Sequence, residues 1–407
     1  METWIYCTID ELGDVIGGAT PSTKNENYWS GNISWITPKD LSRFSGRYIS
    51  RGERNISMAG LNSCSSKLIP RNSILFSSRA PIGYVGIAAN DLCTNQGFKS
   101  IVPSETTDSL FLYYLLKYNT ERIESLGSGT TFKEVSGSTM KGVVVFIPKK
   151  KDVQISIGRI LSSIDEKIEL NQRINDNLAM QVYAIFKSWF VDYEPFSNSQ
   201  FIFTDEGNIP AKWKITNLES CCSLIVKGIT PRYSDFGDQK VINQKCIRNG
   251  TIDLQLARKH IPKVVNEKWL KFGDILINST GEGTLGRVAQ VCFTPTNLVA
   301  DSHVTIIRPS SYNLIHYLGC LLLTKQSEFE GMASGSTGQT DLPRDLLKGM
   351  SVVVPDEKVL ESFSRIVSPL RQKIIALQEE NINLVSVRDV LLPKLMSGEI
   401  DVSQISN

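Results

Sequence analysis

The sequence repeats itself at an interval of about 200 residues, so its 407 residues read as one fold written twice rather than as one large domain. Gly18-Ala19-Thr20-Pro21 returns as Gly228-Ile229-Thr230-Pro231 at an offset of 210, and Ile74-Leu75 returns as Ile275-Leu276 at 201. Ser128-Gly129-Thr130-Thr131 matches Ser334-Gly335-Ser336-Thr337 at 206, and Lys141-Gly142 and Pro148 match Lys348-Gly349 and Pro355 at 207. Loop insertions make offsets drift by a few residues while the order of the matches is kept. Chance supplies any one match, but not readily the ordered series.

The longest match has no gap. Arg159-Ile160, Lys167-Ile168, Gln172, Asn175, Asn177 and Leu178 recur at Arg365-Ile366, Lys373-Ile374, Gln378, Asn381, Asn383 and Leu384, all at offset 206. A seam in alternating steps of four and three runs Ile157, Leu161, Ile164, Ile168, Asn171, Asn175, Leu178, Val182, Ile185, Trp189. That is the heptad pattern of a coiled coil. The same register in the second copy reads Phe363, Val367, Leu370, Ile374, Leu377, Asn381, Leu384, Arg388, Leu391, Leu395. Asn175 and Asn381 hold equivalent seam positions, where a buried Asn costs stability but fixes register and partner; Asn facing solvent on a curved helix is the alternative. Two such helices in one chain most simply pack on each other. A helix of about 34 residues is a rod of roughly 50 Å, on the order of 15 bp of duplex. Pro369 and Pro393 are expected to bend the second helix near its start and its end.

The expected order is therefore a globular unit over 1–150, a helix over 151–195, a second globular unit over 196–355 and a second helix over 356–407, with a linker at 195–199. Composition (41% hydrophobic, 21% charged) is that of an ordinary soluble protein. The net charge of +2, from 44 Lys and Arg against 42 Asp and Glu, argues weakly against a nucleic-acid partner. Resolved by segment, the charge says the opposite. The four segments carry 16 basic and 13 acidic residues, 5 and 7, 17 and 14, and 6 and 8, so both globular units are basic and both helices acidic. Lys39, Arg43, Arg47, Arg51, Arg54, Lys67, Arg71 and Arg79 stand against only Asp40 and Glu53. Lys240, Lys245, Arg248, Arg258, Lys259, Lys263, Lys268 and Lys271 stand against only Asp253 and Glu267. One charge run is usually a solvated face; its recurrence in both copies favours phosphate contact.

No motif points to catalysis. Gly281-Glu282-Gly283-Thr284-Leu285-Gly286 satisfies G-x-G-x-x-G after a strand-like segment, but the next stretch, Arg287 to Phe293, is β-like where a dinucleotide fold needs a helix. A hairpin turn is the expectation there. The loop also lacks the Lys-Ser/Thr ending of a P-loop, and no N-P-P-Y or D-P-P-Y tetrapeptide, H-E-x-x-H or G-x-S-x-G occurs. His260, His303 and His316 all lie in the second copy without repeat-mates, so a duplicated His-based active site is excluded. Eight scattered cysteines without a C-x-x-C pair give neither a zinc site nor a disulfide framework. With no export signal and no apolar run long enough to span a membrane, a cytoplasmic protein with reduced thiols is expected.

The run Arg388-Asp389-Val390-Leu391-Leu392-Pro393-Lys394-Leu395-Met396-Ser397-Gly398-Glu399-Ile400 resembles the ending of type I restriction-modification specificity (S) subunits. Trp35-Ile36-Thr37-Pro38-Lys39-Asp40-Leu41 and Ser334-Gly335-Ser336-Thr337 look like motifs of that family's target recognition domains, and Ile164-Asp165-Glu166-Lys167-Ile168-Glu169-Leu170-Asn171 looks like its central conserved helix. The resemblance covers essentially the whole chain. It implies an α+β fold: two similar globular target recognition domains separated by two long helices that pack as an antiparallel coiled coil, an internal pseudo-twofold repeat. It also implies a DNA-reading subunit with no catalysis of its own, each domain reading half of a split, asymmetric site while the helices act as spacer and docking surface. The implied partners are double-stranded DNA, two methyltransferase (M) subunits and two restriction/translocase (R) subunits. S-adenosylmethionine, ATP and Mg²⁺ belong to those partners, and no cofactor or metal is expected on this chain. A nucleotide-binding enzyme using the 281–286 loop and a coiled-coil adaptor without a DNA role are the competing readings.

Beyond the basic clusters, Lys133 and Gln339 join the expected DNA-binding set because, like Arg79, they sit in or beside repeated loops. Arg suits guanine edges and Asn or Gln suits adenine. Thr130, Thr131, Ser336 and Thr337 are expected either to donate to phosphate or to cap a following helix. Asp165, Glu166, Glu169, Glu379 and Glu380 are expected to face a partner protein.

Overall fold

The computed structural model describes residues 3–44, 46–129, 133–261, 265–332 and 341–402. The chain forms two compact units, one of residues 1–171 and 380–407, the other of residues 172–379. Four helices organise them: α1 (Ser109–Tyr118), α2 (Lys151–Phe190), α3 (Tyr312–Thr324) and α4 (Glu357–Met396). Each unit thus takes half of α2 and half of α4.

The repeat read from the sequence is a repeat of topology. In the first unit a sheet runs, in spatial order, Gly13–Gly17, Lys99–Pro103, Ile74–Ser78, Ile82–Ala88, with Tyr48–Ile49 added at the edge. In the second, Cys222–Lys227, Val304–Pro309, Ile275–Asn278 and Val288–Gln290 keep the same order. A three-stranded sheet also recurs, as Arg54–Ile56, Trp29–Ile36, Cys93–Thr94 and as Arg258–His260, Gln239–Ile242, Leu298–Ala300. In both, the central strand pairs antiparallel on one side and parallel on the other. A third pairing, Trp4–Thr8 with Val144–Pro148, returns as Lys214–Asn217 with Ser351–Val354.

The repeated glycine of the G-x-T-P motif has a steric cause. A Cβ on Gly18 would lie 2.2 Å from the Thr94 carbonyl oxygen, and one on Gly228 would lie 2.1 Å from that of Ala300. At the same places Ala19 N–H donates to Thr94 O (3.0 Å) and Ile229 N–H donates to Ala300 O (2.8 Å). The backbones meet so closely that only glycine fits.

Each core is continuous with the long helices. In the first unit, Asp108 caps α1 by accepting from Phe111 N–H at 2.8 Å. The helix buries Phe111, Leu112, Leu115 and Leu116 against Ile74, Phe76 and Ile101, with Ile157 and Leu161 of α2 and Leu395 of α4 in the same cluster. In the second unit, Leu318 and Leu322 of α3 share a cluster with Ile275 and Ile307, Phe186 and Phe190 of α2, and Phe363 and Val367 of α4. Burying side chains of this size stabilises by about 1.5–3 kcal/mol each, so neither sheet is a module detached from its helices.

All twenty seam positions are buried or half-buried. In the first unit Asp165 meets Arg388 and Asn171 meets Asn381, so partners recede along α4 as α2 advances; the packing is antiparallel. Asn381 therefore pairs not with Asn175, its repeat-mate, but with Asn171, whose Nδ2 donates to Asn381 Oδ1 and to Glu380 Oε2, both at 2.9 Å. In the second unit the end of α2 meets the start of α4 through an aromatic cluster, with Trp189 and Phe190 rings 6.0 and 4.8 Å from Phe363. α4 is a single helix through both Pro369 and Pro393. Both prolines are exposed, as are residues 365 and 389, whose carbonyls lose a donor to the ring on the solvent side.

Candidate nucleic-acid interface

In both units part of the basic cluster is set on the three-stranded sheet and the turn that leaves its central strand: Lys39 and Arg54 in the first, Lys240, Lys245, Arg258 and Lys259 in the second. In the first, Thr37 and Asp40 form a capping box: Thr37 N–H donates to Asp40 Oδ2 (2.7 Å), Asp40 N–H donates to Thr37 Oγ1 (3.3 Å), and Pro38 occupies the first turn. Asp40 also accepts from Glu53 N–H at 2.8 Å, tying the turn to the next segment. The Thr-Pro-Lys-Asp signature thus stops the strand, starts the helix and leaves Lys39 outward. In the second unit Asn243, 206 residues on, caps the equivalent turn by accepting from Lys245 N–H at 2.9 Å. Lys39 and Lys245 consequently hold matching positions.

Of the residues expected to contact DNA in the first unit, Lys39, Arg43, Arg51, Arg54, Lys67, Arg71 and Lys133 are exposed. Arg79 is half-exposed and faces Glu134 at 3.4 Å. In the second unit Lys240, Lys245, Arg248, Arg258, Lys259 and Lys271 are exposed, while Lys268 is half-buried and donates to Gly228 O at 3.2 Å. Thr130, Thr131, Lys263, Ser336, Thr337 and Gln339 lie outside the described residues.

Arg47 departs from expectation. It is 4% exposed, its Nε donates to Glu169 Oε1 at 2.9 Å and its Nη1 to Ser162 Oγ at 2.7 Å, both on α2. Such a guanidinium has no free edge for a phosphate. It fastens the basic loop to the spacer helix, and the Glu169 carboxylate offsets much of the cost of burying its charge.

The acidic set is corrected in the same way. Asp165 is 5% exposed and accepts from Tyr114 Oη (2.7 Å) and from Arg388 Nη1 (2.8 Å). Burial and the neighbouring Asp165 carboxylate push the Tyr114 hydroxyl pKa far upward, so Tyr114 donates at any ordinary pH. Asp165 is therefore an internal tie of the first unit, not a partner-facing acid, while Glu169 is half-buried against Arg47. Glu380 is half-buried and engaged by Asn171 and Lys167. Glu166 and Glu379 remain exposed.

The glycine loop is a hairpin turn. Ile275, Leu276 and Ile277 pair antiparallel with Gln290, Ala289 and Val288, and Gly281, Gly283 and Gly286 take φ of +108°, +67° and +78° to close it. The strand Val288–Gln290 stands where a dinucleotide loop requires a helix, so the loop lacks the strand–turn–helix setting of that fingerprint. All eight cysteines are free thiols. Among the described residues no group of His, Cys, Asp or Glu is arranged to hold a metal ion, and no helix is long and apolar enough to cross a membrane.

Two contacts had no sequence expectation. The Arg54 guanidinium lies 3.5 Å over the Trp29 ring, and that of Arg258 lies 3.7 Å over Tyr233. Both members of the second pair stand 204 residues beyond those of the first. Aligning the two copies at this offset would have revealed an aromatic 25 residues ahead of an arginine in each.

The comparisons agree with this architecture. Residues 1–180 match the family described as type I restriction modification DNA specificity domain. The chain is 36% identical to the type I restriction enzyme MjaIX specificity subunit of Methanocaldococcus jannaschii, over 99% of this chain and 94% of that one. It is 30% identical to the type I restriction enzyme HindI specificity subunit of Haemophilus influenzae, over 40% of this chain and 38% of that one. The crystal structure of a type I restriction-modification S subunit from M. genitalium shares the fold, with a TM-score of 0.57 at 20% identity over 97% of this chain and 96% of that one. A duplicated α+β unit joined through long, seam-packed helices, and a full-length relative at this identity, lead to one conclusion: the chain belongs to the specificity-subunit family of type I restriction-modification systems.

Proposed function

We propose that this chain is the sequence-reading, non-catalytic subunit of a type I restriction-modification complex. Each globular unit reads one half of a two-part asymmetric DNA site, and the helix pair sets the spacing and docks the methyltransferase subunits. The observation that carries this reading is the recurrence of an exposed basic cluster on the same three-stranded sheet and capped turn of both units. Lysines and arginines so placed grip phosphate and fix register, while a few side chains reach base edges. S-adenosylmethionine, ATP and Mg²⁺ are assigned to the methyltransferase and restriction subunits, two of each, and not to this chain.

Methylome sequencing of the host with and without this gene tests the proposal. Loss of adenine methylation at one two-part motif across the genome is expected. Unchanged methylation in a host whose only matching methyltransferase gene is intact would sink it.

A further inference from the structure

The basic clusters are not uniform. Arg47 and Arg79 have carboxylate partners. Arg54 and Arg258 are placed differently: each guanidinium lies over an aromatic ring at van der Waals distance, is exposed, and among the described residues has no carboxylate or side-chain hydrogen-bond partner. They are structural repeat-mates. Arg54 sits opposite Trp35 in the edge pairing of its three-stranded sheet, and Arg258 sits opposite Val241, the residue 206 beyond Trp35, in the matching sheet. The first ring is firmly held, because Trp29 Nε1 donates to Ser22 O at 3.2 Å and its ring meets Trp35 edge-on at 5.1 Å. The second sits where Tyr233 bridges to His260 of the sheet's edge strand.

Stacking covers one face of a guanidinium, fixes its plane and leaves its in-plane N–H donors unspent. Phosphate contact does not need that constraint, since a phosphate is approached from many directions and a flexible lysine serves it as well. Reading a base edge does need it, because the two acceptors of guanine, O6 and N7, lie in one plane and are matched by the fork of one arginine. The geometry points to Arg54 and Arg258 as equivalent guanine-reading residues, one in each unit, aimed at the major-groove edge of a guanine in each half-site, with Trp29 and Tyr233 as the positioning residues beneath them. This inference rests on the DNA-reading function proposed above.

The experiment is methylome sequencing of a host carrying the full complex with wild-type chain, Arg54→Lys, Arg54→Ala, Arg258→Lys or Tyr233→Leu. Lysine keeps the charge but loses both the fork and the guanidinium–ring contact. Arg54→Lys is expected to relax one guanine position in the half-site read by the first unit, lowering discrimination there roughly ten- to hundredfold, with the other half unchanged. Arg258→Lys is expected to do the same in the other half, and Tyr233→Leu, which keeps every charge, to relax that same position to a lesser degree. A motif unchanged by both lysine variants, a half-site without guanine, or a uniform drop at all sites in Arg54→Ala with the motif intact (the signature of a phosphate contact) would each overturn the inference while leaving the DNA-reading function standing. A wild-type chain that directs no two-part methylation would overturn both.

Discussion

At the scale of single residues, the duplication shows how one position can keep its contact while exchanging its chemistry. Asp165 and Arg371 stand 206 residues apart, as do Tyr114 and Cys320. In the first unit Tyr114 donates to Asp165; in the second, Arg371 Nη2 donates to the Cys320 sulfur at 3.3 Å. Arg371 is 6% exposed and, among the described residues, has no carboxylate partner, so the second unit tolerates a buried cation bound only by Gln290 and two thiols. Nearby, His316 is fully buried and, among the described residues, both its ring nitrogens lack a hydrogen-bond partner. Burial, aided by the Arg371 charge, pushes its pKa down to about 4. An unfolded histidine titrates near 6.5, so between these values the unfolded chain binds a proton that the folded unit refuses. Stability contributed by His316 is therefore complete above about pH 6.5 and is lost as pH falls towards 4. Between pH 7 and 4.5 the wild type is expected to lose on the order of 2 kcal/mol more than His316→Phe, measured as urea unfolding midpoints of the second unit. Parallel pH profiles for the two proteins would refute the assignment.

At the scale of the element, the long helices owe their partner choice to a few polar positions in and beside the seam. The Leu, Ile and Val that fill most of the seam supply burial but little register, because a shift by one heptad repacks them at small cost. Asp165 with Arg388 and Asn171 with Asn381 supply the register, since any slip leaves a buried charge or amide unpaired. Removing one member of such a pair costs about 3–5 kcal/mol when fully buried. Seven residues inserted into both helices, between 171 and 172 and between 379 and 380, keep the seam facing inward and add about 10 Å of helix. Under the proposed function the gap between half-sites then widens by about 3 bp with both half-sites unaltered, read by methylome sequencing. An unchanged gap would show that the helices do not set the spacing. Inserting four residues instead turns the helix by only about 40° beyond a full turn, a stutter that a coiled coil absorbs by local unwinding, so folding is expected to survive with a smaller widening of the gap.

At the scale of the whole molecule, two units of the same topology read as two independent modules on common supports. The sheets, caps and glycine contacts that recur are framework, and exposed basic side chains stand both on that framework and on the loops between its elements. Exchanging residues 1–150 for the equivalent domain of another family member is expected to change one half of the methylated motif and leave the other half alone. The graft must preserve the apolar surface that meets Ile157, Leu161 and Leu395, because those helix residues belong to the same core. A swap that changed both halves would contradict the modular reading.

The duplication, the two seams and the division into basic units and acidic helices were all legible in the primary structure, because each is a matter of spacing along the chain. Periodicity, offset and local charge survive without knowledge of any distant contact. The hairpin nature of the 281–286 loop was legible for the same reason, since the residues directly after it favour a strand. The fate of individual charges was not. Arg47 meets Glu169 across 122 residues and Asp165 meets Arg388 across 223, so only folding decides that these are buried ties while Arg54 and Arg258 stay outside. The stacked rings beneath those two arginines belong to the same class: a strand pairing, not a motif, brings Trp29 under Arg54. Pattern fixes which faces are apolar and which are charged; packing decides which charged groups are consumed in holding the fold and which remain free to meet a ligand.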